Sequence, residues 1–129
     1  MKATQSQLKS INRLKAQAVF DCLRSSKTRW VSTGLALQAC ARAADGGIGC
    51  AVSASKKTAA LATDRNRMRR RLKAVAASVL PDAAQSGMDY LITARHQTLK
   101  RDMADLETDL RWCLKKLNLI KRSEAEHAD

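Results

Sequence analysis

Apolar residues return along this chain at two intervals, and each interval predicts a different element. Over residues 64–80, Met68, Leu72, Val75 and Val79 stand at i, i+4, i+7 and i+11, which gathers one apolar stripe on a helix. A closing helix is predicted over 99–117, with Met103, Leu106, Leu110, Cys113 and Leu117 in register and Trp112 beside them as a packing anchor in preference to a base-stacking surface. A shorter helix over 13–24 draws its stripe from Leu14, Ala18, Val19, Cys22 and Leu23. Elsewhere the interval is two: Val31, Thr33, Leu35, Leu37 and Ala39 share one face of a strand over 30–41, and Tyr90, Ile92 and Ala94 share one face of a strand over 88–95.

Turn residues order these pieces. Asp45-Gly46-Gly47 joins the first strand to a return strand over 48–53, predicting an antiparallel hairpin. Thr63 or Asp64 is the expected N-cap of the central helix, and Pro81, followed by Asp82 and Ser86-Gly87, is expected to end it. Because that helix separates two strands, a parallel β-α-β connection follows. No repeat or low-complexity linker divides the 129 residues. The prediction is a single compact α+β domain over residues 12–117, a small mixed sheet packed with helices, between a basic tail at 1–12 and a second tail at 118–129.

Charge changes this picture most at the central helix. Six of the nine residues from Arg65 to Lys73 are cationic. At 100° per residue, Arg65, Arg69 and Lys73 line one flank of the apolar stripe, Arg67 and Arg71 line the other, and Asn66 and Arg70 point away from the core. Cations in a first helical turn oppose the helix dipole, and the free N–H groups there invite an anion. A phosphate relieves both problems. The whole chain carries 24 Lys and Arg against 12 Asp and Glu, a formal charge of +12, which favours a polyanion and nucleic acid above all.

Other chemistries find little support. Cys22, Cys40, Cys50 and Cys113 form no C-x-x-C pair, and His96 and His127 lie outside metal-ligand spacing, so no metal site is expected. The cysteines read as small buried hydrophobes of a reducing cytoplasm. The amino terminus has no continuous apolar run of the secretory kind, although the lack of acids before Asp21 leaves a transit peptide open. No segment has the length needed to span a membrane. Asp45, Asp64, Asp82 and Asp89 are scattered and His96 stands alone, so no two-metal or acid–base centre assembles from the pattern. Neither a helix-turn-helix nor zinc ligands for reading DNA are visible.

The run Ala62-Thr63-Asp64-Arg65-Asn66-Arg67-Met68-Arg69-Arg70-Arg71-Leu72-Lys73 resembles the signature of the bacterial ribonuclease P protein component. The surrounding order is similar too: Arg13-Leu14 before Phe20, the Ile48-Gly49 strand leading to Ser55-Lys56-Lys57, the basic helix, Met88-Asp89-Tyr90 opening a strand, and a closing amphipathic helix.

The resemblance implies a fold whose β-α-β crossover is left-handed, against the usual rule. It also implies a protein subunit of an endoribonuclease whose RNA subunit holds the catalytic Mg2+ and removes the 5′ leader of precursor tRNA. The implied partners are the ribonuclease P catalytic RNA and precursor tRNA, in the cytoplasm, with no membrane and no obligate protein partner. Carried onto matching positions, Arg65, Asn66, Arg69 and Lys73 face the leader or nearby metal-organised RNA, while Arg67, Arg70 and Arg71 grip the catalytic RNA. Phe20 matches an aromatic of the leader cleft, and Lys56 and Lys57 match a basic pair before the signature. Two departures stand out. Arg24 occupies a position where many members carry a second aromatic, which shifts leader binding from stacking toward phosphate contacts, and two extra residues precede the lysine pair. The competing reading is a structural RNA-binding protein of ribosomal type with no role in cleavage.

Overall fold

A computed structural model describes residues 11–13, 21–23, 25–41 and 47–120 of the chain. Five strands form one mixed sheet: β1 (Ile11–Arg13), β2 (Arg29–Val31), β3 (Leu35–Ala41), β4 (Ile48–Ser53) and β5 (Met88–Ala94). Among the described residues two long helices accompany them, α1 (Ala62–Ala83) and α2 (Met103–Lys116), with a 3-10 turn at His96–Leu99.

The strand order is β1-β4-β5-β3-β2. The parallel β-α-β connection is present: β4 leads through α1 to β5, with Ile48 opposite Met88 and Val52 opposite Ile92. The expected hairpin between β3 and β4 is not. β5 lies between them, antiparallel to β3, because it is the strand able to be covered on both faces. Asp89, Tyr90, Leu91 and Ile92 are buried in succession, as a central strand requires.

A second correction concerns residues 30–41, which make two strands and not one. The chain turns at Ser32–Gly34, so β2 pairs back on β3 with Trp30 opposite Leu37. The turn is fixed from far along the sequence: the Asp109 carboxylate accepts from the Ser32 hydroxyl at 3.0 Å and the Gly34 N–H at 3.1 Å. The Thr98 hydroxyl donates to the Gly34 carbonyl at 2.6 Å. A Cβ on Gly34 would lie 2.5 Å from Leu106 Cδ2 and 2.6 Å from Asp109 Oδ2, so glycine alone lets the turn sit this close.

The amino-terminal reading also shifts. Ile11 and Asn12, assigned to the tail, form β1 with Arg13, which stands in this strand and not at the start of a helix; β1 runs parallel to β4. Helical backbone is present at Asp21, Cys22, Leu23 and Ser25.

Both helices cover one face of the sheet. Met68, Leu72, Val75 and Val79 meet Leu106, Leu110 and Cys113 over Leu35, Leu37, Tyr90 and Ile92, all buried in one cluster. On the opposite face Leu23 packs on Leu91, flanked by Cys40 and Ala51. The rest of that face is lined by smaller or polar residues, Gln38, Ser53 and Thr93 among them, because these share the register of Leu91.

Helix boundaries depart from the sequence pattern for local reasons. The N-cap of α1 is Leu61, with no side-chain cap, and Thr63 and Asp64 fall within the first turn. Pro81 is buried inside the helix, which continues to Ala83. So close to the end, the missing proline N–H forgoes one helical bond, and the Ala84 N–H closes the last turn on Leu80 at 3.0 Å. The last helix begins at Met103, after the 3-10 turn, and ends at its C-cap Leu117, after which Asn118 turns left-handed at φ 61° and the Leu119 N–H donates to the Leu114 carbonyl at 2.8 Å. Residues 119 and 120, read as part of a loose tail, are tied down: the Leu119 carbonyl accepts from Gln85 at 2.7 Å and Ile120 bridges Ala84.

Cys50 and Cys113 are buried as expected, whereas Cys22 is exposed and Cys40 half-buried. Burial pushes the Cys50 and Cys113 thiols up from the usual 9.0 to about 12, with the Asp109 charge adding to the effect at Cys113. Well below pH 9 these thiols are neutral in folded and unfolded chains alike; as pH rises through about 9 toward 12 the unfolded chain loses the protons first, and the fold weakens. Thermal melts from about pH 8 to about pH 11 are expected to show this decline. In Cys50→Ala the alkaline slope is expected to be shallower, and an identical slope would show that the thiol has no share in it.

Candidate nucleic-acid interface

The interface is built on α1. Its stripe from Met68 to Val79 is fully used against the sheet, which fixes the rotation of the helix and hence the direction of every cation on it. Arg67, Arg70 and Lys73 are exposed, Asn66 also, while Arg65, Arg69 and Arg71 are half-buried at the edges of the stripe. The two flanks and the outward face expected from the helical wheel are thus present on one rigid rod.

The flanks differ in how their guanidinium groups are held. Arg65 donates from Nη1 to the carbonyls of Ala59 and Ala60, each at 2.9 Å, and so folds the connector back onto the first turn. Arg69 hydrogen-bonds the Asn66 side-chain carbonyl, so these two form one unit. On the other flank, Arg71 donates from Nε to the Thr98 carbonyl at 3.1 Å and from Nη2 to the carbonyl of Arg101. A guanidinium has five N–H bonds, and these contacts leave Arg65 and Arg71 with donors for a further acceptor. The role of Arg71 in pinning the turn after β5 was invisible in the sequence, since its partners lie 27 and 30 residues away.

Little acid offsets this surface. Asp64 lies 3.7 Å from Arg67, an exposed pair worth little, and it improves the charge balance of the first turn. Asp82 pairs with Arg111 at 3.2 Å, and Asp109 with Arg101 at 2.8 Å. Among the described residues Arg70 and Lys73 have no ion pair or hydrogen-bond partner, and the same holds for Lys56 and Lys57. These two lysines are exposed on a tight turn in which the Ser55 carbonyl accepts from the N–H groups of Thr58 and Ala59, both at 3.1 Å. The turn delivers the chain to α1, so Lys56 and Lys57 extend the basic surface beyond the helix start.

Phe20 and Arg24, assigned to the leader cleft, lie outside the described residues. The Leu23 that follows Phe20 by three positions does pack against the sheet face opposite α1 and α2. No three His, Cys, Asp or Glu side chains among the described residues gather into a group able to hold a metal ion. No helix among them is long and apolar enough to cross a membrane.

One expectation fails at α2. Trp112, read as a packing anchor, is 45% exposed, as is Trp30 at 39%. Trp112 stands 100° or more from the buried residues Leu110, Cys113 and Leu114 that face the core, and this off-stripe position was the available signal.

Compared with known proteins, residues 8–118 match the family model described as Ribonuclease P. The chain is 34% identical over 124 residues to the ribonuclease P protein component of Paramagnetospirillum magneticum, covering 92% of this chain and 91% of that one. A second relative, the ribonuclease P protein component of Ruegeria pomeroyi, is 41% identical over 76 residues, 58% of this chain and 60% of its own. Among solved structures, the Staphylococcus aureus RNase P protein superposes with a TM-score of 0.68 at 18% identity, covering 84% of this chain and 97% of that one. The Thermotoga maritima RNase P protein gives 0.67 at 15% identity, covering 81% and 96%. At these identities the two structures speak for the fold.

Proposed function

The chain belongs to the ribonuclease P protein family, and from that premise we propose that it binds the ribonuclease P catalytic RNA and the 5′ leader of precursor tRNA, assisting RNA-catalysed removal of the leader. The observation that carries this reading is the basic rod itself: six cations between Arg65 and Lys73 in the first half of a core-packed helix, with Arg70 and Lys73 unpartnered among the described residues.

The division of labour follows the flanks. Arg65, Asn66, Arg69 and Lys73 face the leader or the metal-organised RNA beside it. Asn66 holds Arg69 in place, so the two present one fixed donor set to a phosphate. Arg67, Arg70 and Arg71 face the catalytic RNA, with Arg71 offering the N–H groups that Thr98 and Arg101 leave free. Lys56 and Lys57 add two mobile point charges near the helix start. Phe20 stacks on an unpaired leader base, and Arg24 contributes a phosphate contact where a second ring is missing.

Chemistry at the scissile phosphate belongs to the RNA subunit, which holds the Mg2+ ions; the protein lowers the repulsion between two polyanions and aligns them. No protein side chain is catalytic in this account, and the endonuclease is the ribonucleoprotein.

Binding of the catalytic RNA across a range of salt concentrations tests the electrostatic part. Each phosphate engaged is expected to lower log affinity by about 0.7 to 0.9 per log unit of salt. Several contacts predict a steep line, and a flat one would be incompatible with this interface.

A further inference from the structure

The basic rod leaves unexplained a patch on the far side of α2. Trp30 and Trp112 are both exposed there, and the Lys116 ammonium lies 4.5 Å from the ring centroid of Trp112 and 5.8 Å from that of Trp30. One cation therefore serves two indoles, each with surface left open to solvent. The patch is firmly mounted: Trp30 is paired with Leu37 on β3, and its carbonyl accepts from the Cys113 thiol of α2 at 3.7 Å.

Its position separates it from α1. On α2, Arg111 reaches back to Asp82 of α1 at 3.2 Å, whereas Trp112 is turned a further 100° around the helix. The sheet order puts β2, which carries Trp30, at the edge opposite β1.

We infer that Trp30, Trp112 and Lys116 form a second RNA contact, which stacks unpaired bases of the ribonuclease P RNA. The inference rests on the proposed partnership with that RNA and adds a surface to it. Exposed aromatic rings beside cations suit bases and phosphates together, since every base offers a π-face and every linkage a negative charge. Lys116 lies over both rings and Lys115 follows Trp112 by three positions on α2, so exposed positive charge adjoins the patch. The same charge disfavours a second copy of this chain, because an isologous contact would set each Lys116 against its symmetry mate on a protein already at +12.

The chain has two tryptophans, and both are in the patch, so intrinsic fluorescence reports on it directly. Titration with the catalytic RNA, alongside a gel-shift measurement of binding, is the test. Saturating RNA is expected to quench the emission and to protect it from acrylamide. Trp30→Leu with Trp112→Leu should lower RNA affinity by about tenfold or more, while Trp30→Phe with Trp112→Phe should keep most of it, because phenylalanine still stacks. Unchanged emission and acrylamide access in wild-type protein whose binding to RNA is seen in the gel would overturn the inference and leave the α1 interface standing. So would burial of the tryptophans by self-association of the free protein. Failure of the RNA to bind at all would overturn both.

Discussion

Asp109→Ala is expected to be among the most destabilising single changes in this protein, costing about 3 kcal/mol. The Asp109 side chain is 8% exposed, and its two oxygens satisfy the Ser32 hydroxyl, the Gly34 N–H and the Arg101 guanidinium. Arg101 Nη2 donates at 3.3 Å, while Nε comes within 2.8 Å without aligning its N–H. Truncation leaves a buried backbone donor and a largely buried cation without partners, and it releases the turn that joins β2 to β3. For a chain of this size the melting temperature should fall by roughly 10 °C. Asp109→Asn keeps one acceptor and loses the charge, so an intermediate fall is expected. A melting temperature within a degree or so of wild type for Asp109→Ala would show that the turn holds without its carboxylate.

Reversing charge at Arg67 and Arg70 has the opposite profile, a large loss of RNA affinity with little effect on the fold. Both side chains are exposed, and Arg67 loses only its 3.7 Å pair with Asp64. Both positions lie beyond the first turn of α1, where the helix dipole has little effect, so thermal stability should change little. Affinity for the catalytic RNA in Arg67→Glu with Arg70→Glu is expected to fall about 100-fold at moderate salt, with the salt slope shallower by roughly 1.4 to 1.8. Arg65→Ala with Arg69→Ala should instead weaken the part of substrate binding that depends on the leader. Filter binding with precursor tRNA, with and without its leader, separates the two. Equal losses in both assays from both pairs would remove the division between flanks.

How far the sequence alone carries depends on the range of the forces involved. The α1 stripe at Met68, Leu72, Val75 and Val79 was legible because a long amphipathic helix writes its burial locally, and with the stripe came the directions of the cations. The splitting of residues 30–41 was not legible, because it depends on Gly34 meeting Leu106 and Asp109 more than 70 residues later. Strand order failed for a related reason. Adjacent strands joined by a turn pair by default, and only the two-faced burial of Asp89 to Ile92 hints that β5 takes the centre. Pro81 misled because its cost is small in a last turn and its ring is buried. At the site, the basic residues could be named in advance, but the carbonyls that hold Arg65 and Arg71 could not.

Assistance to an RNA-catalysed cleavage is measured by precursor-tRNA cleavage at low magnesium with the catalytic RNA, in the presence and absence of the protein. Strong stimulation that requires both components is expected. Tight binding to the RNA with no change in cleavage would contradict it and leave a structural RNA-binding role of the ribosomal type.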